Sequence, residues 1–199
     1  MKVLIACEFS GVVREAFKAK GHDAVSCDLL PSEQPGHHIQ DDVEKHLNEG
    51  WDMMIAFPPC THLASSGAQY WPEKQKDGRQ QEAIDFVYRL FGANINRIAI
   101  ENPVGILSTK VCRPHQIIQP YEFGDPYRKK TCLWLWNLPA LKPTNIVKPI
   151  ASWHSGSSRS GPRKDGSRKI SDLPALHGNS RERSRTFPGI AEAMAAQWG

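Results

Sequence analysis

One cysteine in this sequence follows a segment that would hold its thiol on a stiff loop. Residues 57–60 read Phe-Pro-Pro-Cys, and two successive prolines restrict the backbone and remove two amide donors. A thiolate is a strong nucleophile where nearby groups lower its pKa, and the Thr-His that follows and the basic residues later in the chain are candidates for this. Cys60 is therefore a candidate covalent nucleophile. The commoner role of a free cysteine, a small buried hydrophobic residue, is assigned to the cysteines of apolar segments: Cys7, Cys27 and Cys132.

A carboxylate closes another apolar segment. Glu101 follows Arg-Ile-Ala-Ile and precedes Asn102-Pro103, so we expect it at the same rim of the fold as Cys60. Burial beside apolar residues would raise the pKa of this carboxyl and let it share a proton with a ring nitrogen or donate one. From these residues alone, a carboxylate that caps the next turn or pairs with a lysine is an equally good interpretation.

The turn after the first apolar segment has features of a nucleotide-binding turn. Residues 8–11 read Glu-Phe-Ser-Gly, where glycine permits close backbone approach and the start of a helix supplies free amides. The full Gly-x-Gly-x-x-Gly pattern is not present, so a purely structural turn is the alternative. Asp28 lies about 20 residues later, where a carboxylate commonly binds ribose hydroxyls.

The elements that must position these residues alternate between strands and helices. Apolar patterns predict strands over 2–7, 24–27, 52–57, 97–100 and 131–136, and helices over 12–20, 80–92 and 190–198. Such alternation predicts an α/β fold with a mostly parallel sheet. Ligands of these sheets bind at the carboxyl ends of the strands, which is where Glu8, Asp28, Asp42, Cys60 and Glu101 fall.

Length and composition indicate one soluble domain. The 199 residues, 40% of them hydrophobic, suit a single domain over 1–199. No apolar run approaches the roughly 20 residues of a membrane span, and the first residues do not resemble a secretory signal. Five cysteines without a Cys-x-x-Cys pair favour a reducing compartment over a disulfide framework or zinc site. We expect a cytoplasmic protein without a metal or a membrane partner; the oligomeric state is left open.

The basic charge is concentrated near the end of the chain. Residues 148–186 hold nine Lys or Arg against three acids, so the rest of this chain of net charge +4 is slightly acidic. The stretch 155–169 is rich in Ser, Gly, Arg and Lys and predicts a mobile loop, so residues 148–186 are expected to form a basic, partly mobile insertion. A basic segment of this kind contacts phosphates or is simply a solvated surface, and the sequence favours neither.

Taken in order, these motifs resemble those of the C5-cytosine DNA methyltransferase family. Over residues 1–136, Phe9-Ser10-Gly11 resembles the family's first cofactor turn, residues 57–60 its nucleophile loop and Glu101-Asn102-Pro103 its Glu-Asn-Val strand end. Residues 128–130, Arg-Lys-Lys, are similar to its Arg-x-Arg strand, and residues 186–189, Thr-Phe-Pro-Gly, to its last motif. The chain looks like a short, phage-like member without a full target-recognition domain.

The resemblance implies a Rossmann-like fold that uses S-adenosylmethionine and a role for each matching residue. The implied catalytic residues are Cys60, Glu101, Arg128 and Lys130. The implied cofactor-binding residues are Glu8, Phe9, Ser10, Gly11, Asp28, Leu29, Asp42, Val43, Pro58, Thr186 and Phe187. The expected substrate contacts are Ser65, Ser66, Arg79, Asn102, Arg163, Lys164, Arg168 and Lys169.

The implied activity is methyl transfer to C5 of a cytosine in DNA through a covalent intermediate on Cys60. Pro103 and Lys130 depart from the family's valine and arginine, and only about 50 residues separate the strand near Arg128 from the last helix. With no recognition domain in that interval, low sequence specificity is expected, and the basic segment would supply phosphate contacts. Two alternatives are the same chemistry on a free or single-stranded cytosine nucleotide and a catalytically idle nucleic-acid-binding protein.

Overall fold

A seven-stranded sheet forms the centre of the fold in the computed structural model, which describes residues 1–153, 173–176 and 178–199. The strands are β1 (Lys2–Ala6), β2 (Asp23–Asp28), β3 (His38–Gln40), β4 (Met53–Ala56), β5 (Arg97–Pro103), β6 (Gln116–Ile118), β7 (Tyr127–Arg128), β8 (Thr131–Trp136), β9 (Ala151–Trp153) and β10 (Ala175–Leu176). The helices are α1 (Val12–Ala19), α2 (Trp71–Lys76), α3 (Arg79–Phe91), α4 (Leu107–Lys110), α5 (Ser180–Ser184) and α6 (Pro188–Trp198). Single 3-10 turns cover Val43–His46, Ser65–Tyr70 and Pro120–Glu122.

The strand order of the large sheet is β3-β2-β1-β4-β5-β8-β6. The first five are parallel, and β8 runs antiparallel to both β5 and β6. Because the chain leaves β1 in one direction toward β3 and returns to β4 on the other side, the order reverses between β1 and β4. That reversal opens a crevice at the carboxyl ends of the strands, where ligands bind in open α/β sheets. The α/β class predicted from the sequence, with a mostly parallel sheet, is confirmed.

Both faces of the sheet are buried, which is why its central strands are apolar throughout. In β1, Val3 and Ile5 pack on the face covered by α1 and α6, whereas Leu4 and Ala6 pack on the face covered by α3. Most predicted elements differ from the observed ones by one to three residues at an end. The last helix begins at Pro188, two residues earlier than predicted, because proline suits the first turn of a helix.

A second, three-stranded sheet lies partly in the basic segment. β9 pairs in parallel with β7 on one side and with β10 on the other. The two ends of 148–186, the stretch predicted to be a basic and partly mobile insertion, include β9, β10 and α5. Its central part lies outside the described residues, with the predicted phosphate contacts Arg163, Lys164, Arg168 and Lys169.

A buried arginine fixes the loop that follows β2. Arg14 of α1 is fully buried and donates from Nη1 to the hydroxyls of Ser26 (2.8 Å) and Ser32 (3.1 Å). Its Nη2 donates to the carbonyls of Gln34 (2.9 Å) and Pro35 (3.1 Å), and Nε donates to Glu15 on the same helix. A guanidinium is expensive to bury unless its donors are used, and here they join α1, β2 and the loop.

No helix in the described part of the chain is long and apolar enough to cross a bilayer.

Replacing Arg14 with methionine should lower the free energy of unfolding by about 3 kcal/mol. The buried hydroxyl of Ser26 and the acceptors of the loop after β2 would lose the guanidinium that donates to them. Chemical denaturation measures this change. Lys18→Met, on the same helix but exposed, removes the same charge and should change the free energy of unfolding by no more than about 0.5 kcal/mol. Equal losses in the two variants would contradict the role given to the Arg14 hydrogen bonds.

Candidate active site

The loop after β4 presents Cys60 at the mouth of a cavity. The amide of Phe57 donates to the carbonyl of Ala6 at 2.9 Å and so continues the register of the sheet. The amides of Leu63 and Ala64 both donate to the carbonyl of Cys60, at 3.0 and 2.9 Å, which closes a tight turn. The Cys60 side chain is exposed and lines a cavity of about 530 Å³, called here the Cys60 cavity. Cys60 thus lies in a hydrogen-bonded turn directly after the two prolines.

This loop is fastened to the end of β5. Nδ2 of Asn102 donates to the carbonyl of Pro58 at 2.8 Å, within a buried contact. Further along, the amide of Ile106 donates to the carbonyl of Leu63 at 2.8 Å. A Cβ on Gly105 would lie 2.0 Å from that carbonyl oxygen, so only glycine permits this approach. Asn102, expected to contact substrate, thus has its amide group engaged in holding the loop.

Glu101 reaches the Cys60 cavity from β5. Burial raises the pKa of the Glu101 carboxyl, and Lys129 and a hydrogen bond from Thr131 oppose that rise. The pKa of the Cys60 thiol is also raised, first by burial and then by the negative charge of Glu101, while Lys129 and Arg183 lower it. An ionised Glu101 therefore disfavours ionisation of the Cys60 thiol. The free protein holds a thiol that needs a cation or a proton transfer before it becomes a nucleophile.

Lys129 is the cation most closely coupled to both acids, and it was not among the residues predicted from the sequence. Its Nζ donates to the carbonyl of Arg183 at 2.6 Å and lies 5.6 Å from the centre of the Phe187 ring. Arg128 and Lys130, predicted from the resemblance, are exposed and line the same cavity. All three side chains line the cavity, but Lys129 is half-buried whereas Arg128 and Lys130 are exposed. Side chains alternate in this way along an extended chain, and this alternation was the signal available in the sequence.

A second cavity, of about 340 Å³, opens at the ends of β2 and of the short turn at Val43–His46. It is called here the Asp28 cavity. Four predicted cofactor residues line it: Asp28, Leu29, Asp42 and Val43. Residues not predicted for it also line it, among them Cys7, His62, Phe86 and Arg89. Pro59 lines both cavities, so the two spaces adjoin across the nucleophile loop.

The acids of the Asp28 cavity are held by backbone amides. Oδ1 of Asp28 accepts from the amide of Leu30 at 2.9 Å, and burial raises the pKa of this carboxyl. Oδ1 of Asp42 accepts from the amide of Glu44 at 3.1 Å and caps the 3-10 turn. Glu44 forms an ion pair with Arg89 at the edge of the cavity. These contacts orient two carboxylates toward a space that also has an aromatic wall.

The predicted cofactor turn supports the site without lining either cavity. Oε1 of Glu8 accepts from the hydroxyl of Ser10 at 2.8 Å and from the amide of Val13 at 3.0 Å. The carboxyl of Glu8 thus satisfies an amide in the first turn of α1, and burial raises its pKa. Gly11 has a φ of 75° at the N-cap, which favours glycine. In the described chain, neither these residues nor Phe9 borders the Cys60 or the Asp28 cavity.

Several other predicted residues lie elsewhere than expected. The guanidinium of Arg79 is engaged by Asp77 and Glu73 and does not line the Cys60 cavity. Thr186, predicted for the cofactor, lines the Cys60 cavity, and the ring of Phe187 packs against Tyr127 with a centroid separation of 5.6 Å. Ser65, Ser66 and Asn102, predicted to contact substrate, line the Cys60 cavity, and so does Pro58, which was predicted for the cofactor.

No group of three or more His, Cys, Asp or Glu side chains among the described residues is arranged to hold a metal ion.

Comparisons with known proteins bear on the fold only. No protein-family model and no curated protein matches the sequence. Solved structures do match, among them one described as a "putative DNA modification methyltransferase encoded within prophage", from E. coli. The match has 17% sequence identity and a TM-score of 0.48, and it covers 78% of this chain and 58% of the other. The chain thus spans less than two thirds of that structure's length, and similarity at this level carries no information on activity.

The opposed influences on Cys60 predict opposite shifts in its reactivity. Lys129→Met should raise the pKa of the Cys60 thiol and move its alkylation profile to higher pH, because a nearby cation is removed. Glu101→Gln should move the profile to lower pH, because a nearby anion is removed. Peptide-resolved mass spectrometry of iodoacetamide labelling measures both profiles.

Cys112 is exposed and lies outside the Cys60 cavity, so its profile in the same samples is the internal control and should not move. Shifts of the same sign at Cys60 in the two variants would show that Lys129 and Glu101 do not act on the thiol through their charges.

Proposed function

We propose that this protein transfers a methyl group from S-adenosylmethionine to C5 of a cytosine in DNA, with Cys60 as the covalent nucleophile. The observation that carries the proposal is the pair of cavities that share Pro59. One contains a thiol, a buried carboxyl and a lysine. The other is lined by five acids, Asp28 and Asp42 among them, and by an aromatic ring. A methyl donor and a methyl acceptor placed in the two cavities would meet at the nucleophile loop.

The chemistry follows from the groups in the Cys60 cavity. The Cys60 thiol loses its proton to solvent, and the thiolate adds to C6 of the ring while Glu101 donates its proton to N3. The electron pair then available at C5 would take the methyl group of a bound donor, whose sulfonium sulfur would keep the electron pair of the carbon–sulfur bond that breaks. The C5 proton is then lost to solvent, and its bonding electrons restore the double bond between C5 and C6. The C6–sulfur bond breaks, which frees the thiolate, and the N3 proton returns to Glu101. Lys129 favours the thiolate, and burial raises the pKa of Glu101, which favours its protonated form.

The residues of the Asp28 cavity fit S-adenosylmethionine. Asp28 ends β2, where a carboxylate accepts hydrogen bonds from ribose hydroxyls, and the amide of Leu30 orients its side chain. The ring of Phe86 and the side chain of Val43 provide apolar walls for a flat base. When bound, the cofactor supplies an electrophilic methyl group.

Cationic side chains around the Cys60 cavity favour nucleic acid as the source of the cytosine. Arg128, Lys129, Lys130, Arg183 and Arg185 line it, and Glu101 is the one acid among its lining residues in the described chain. Phosphates attract such a rim without regard to sequence, so we expect low sequence specificity. A cytosine within a duplex must leave the base stack to reach a thiol that lines a cavity.

Cys60→Ser should abolish methyl transfer and leave the free energy of unfolding almost unchanged, because the side chain is exposed and the replacement is close in size. DNA containing 5-fluorocytosine has no removable proton at C5, so the wild-type protein should form a stable covalent complex with it. Denaturing electrophoresis and mass spectrometry detect this complex.

Cys112→Ser removes the other exposed cysteine and is the matched control, in which the complex should form normally. Methylation without a trapped complex, or a complex that persists in Cys60→Ser, would refute the assignment of the nucleophile.

Asp28→Asn should weaken S-adenosylmethionine binding by about tenfold to a hundredfold, because hydrogen bonds to a charged acceptor are worth roughly 1.5–3 kcal/mol. The amide oxygen of the variant still accepts from Leu30, so the loop should keep its shape. Titration calorimetry measures the affinity. Asp23→Asn changes the same residue type at the opposite, exposed end of β2 and should leave affinity intact; equal affinities in all three proteins would place the cofactor elsewhere.

A further inference from the structure

A short segment near the end of the described chain lines the Cys60 cavity and also contacts the turn after β1 and the loop after β2. Residues 179–186, called here the strap, comprise α5 and its flanks, and Asn179 caps the helix by accepting from the amide of Glu182 at 2.9 Å. One end of the strap lines the Cys60 cavity through Arg183, Ser184, Arg185 and Thr186. The other contacts the turn that follows β1.

A single carboxylate, that of Glu33 in the loop after β2, holds the strap. Oε1 of Glu33 accepts from Nε of Arg181 at 2.9 Å and from Nη2 of Arg185 at 2.8 Å. Oε2 accepts from Nε of Arg185, also at 2.8 Å. The amide of Glu33 donates to the carbonyl of Phe9 at 2.8 Å, and the Arg181 guanidinium lies 5.1 Å from the Phe9 ring centre. Two arginines thus converge on one anion.

The geometry around Glu33 is that of an anion site rather than of a buried structural bond. Arg185 donates from two nitrogens to the two oxygens of one group, which is the fork arrangement arginine makes with carboxylates and phosphates alike. The side chains of Arg181 and Arg185 are 52% and 45% exposed, so a solvent-borne anion can reach them. Exposed pairs of this kind are weak, about 1 kcal/mol or less each, and exchange of partners is inexpensive.

The position of this site suits the backbone of a strand whose base enters the Cys60 cavity. Arg185 belongs both to the cavity lining and to the Glu33 pair. Lys129 bonds to the carbonyl of Arg183, which keeps the strap beside the two acids of the site. A nucleotide inserted toward Cys60 must leave its flanking phosphates at the rim, where Arg185 lies.

We propose that Arg181 and Arg185 form a binding site for a phosphodiester next to the target nucleotide, and that the Glu33 carboxylate occupies this site in the free protein. Binding of nucleic acid then exchanges one anion for another on the same two guanidinium groups. The inference rests on the proposed function for the class of substrate, and it adds a competing group built into the chain.

Opposite substitutions test the proposal by the sign of their effects. A fluorescein-labelled 12-nucleotide single strand containing one cytosine is titrated with each protein in the Cys60→Ser background, without methyl donor, and anisotropy gives the affinity. Glu33→Gln should tighten binding by about threefold to tenfold, since the competing charge is removed while a hydrogen-bond acceptor remains. Arg181→Gln with Arg185→Gln should weaken binding and reduce the salt dependence by roughly 0.7 in log–log slope for each phosphate that the protein no longer neutralises.

Glu49→Gln is the matched control for the removal of one negative charge. Glu49 also accepts from a basic side chain, His46, but lies before the amino end of β4, away from the strap. Its variant should bind as the parent does. If Glu33 only anchors the strap, Glu33→Gln and the double arginine replacement should both weaken binding. Changes in affinity of the same sign in these two variants, or no change in Glu33→Gln, would overturn the proposal.

Two further arms separate this inference from the proposed function. Excess dCMP should compete poorly with the labelled strand, since a flanking phosphodiester is what the site binds; full competition by dCMP would show that the site takes a free nucleotide phosphate. Adduct formation with 5-fluorocytosine DNA is scored in the same Glu33 variant with Cys60 restored. If Glu33→Gln tightens binding and the double arginine replacement weakens it, but no adduct forms, the phosphate site is upheld and the cytosine chemistry is refuted.

Discussion

The site depends on the attachment of the Cys60 loop to the end of β5. Asn102 holds the carbonyl of Pro58, and the chain at Gly105 packs against the carbonyl of Leu63 so closely that a methyl group would not fit. These contacts act on both sides of Cys60 in sequence. They fix the thiol relative to Glu101, which precedes Asn102 on the same strand. Without them, the two acids would belong to separate loops and would not influence each other's ionisation.

The sheet explains why the two cavities adjoin. The strand order reverses between β1 and β4, so the segments leaving β2 and β4 diverge around a crevice whose floor is the end of β1. The Asp28 cavity takes its acids from the β2 side, and the Cys60 cavity takes its groups from the β4 and β5 side. Pro59 lies between them. The relation between the cavities is thus a property of topology, and the side chains decide what each can bind.

The sequence could predict those features that depend on short stretches of chain. The apolar strands, the stiff loop before Cys60 and the carboxyl at Glu101 are each encoded within a few residues, and the structure places them together. Lys129 directly follows β7, which is only two residues long and pairs with β9. Lys129 was missed because the alternation of side chains is hard to recognise in the sequence over so short a strand. Phe86 was missed because its helix stripe predicts a core position equally well. Such features require knowledge of which distant segments meet.

Long-range pairing also governs the contacts that no local pattern encodes. Arg14 lies on a helix whose apolar stripe predicts only hydrophobic neighbours, yet its guanidinium organises a loop about 20 residues away. The pairing of Glu33 with Arg185 joins residues 152 positions apart. Charge counts placed basic residues in the right region of the chain, but their partners became identifiable only in three dimensions.

The packing of α6 has a consequence for how the chain reaches its native state. α6 covers α1 on one face of the sheet, and the Trp198 indole donates to the carbonyl of Pro139 at 2.9 Å. The first βα unit therefore keeps Val13 and Phe17 uncovered on that face until residues 188–198 have left the ribosome. Loops of this length must close before those contacts form, which slows folding in proteins whose contacts are non-local. During synthesis, the apolar side of α1 is a natural surface for a chaperone.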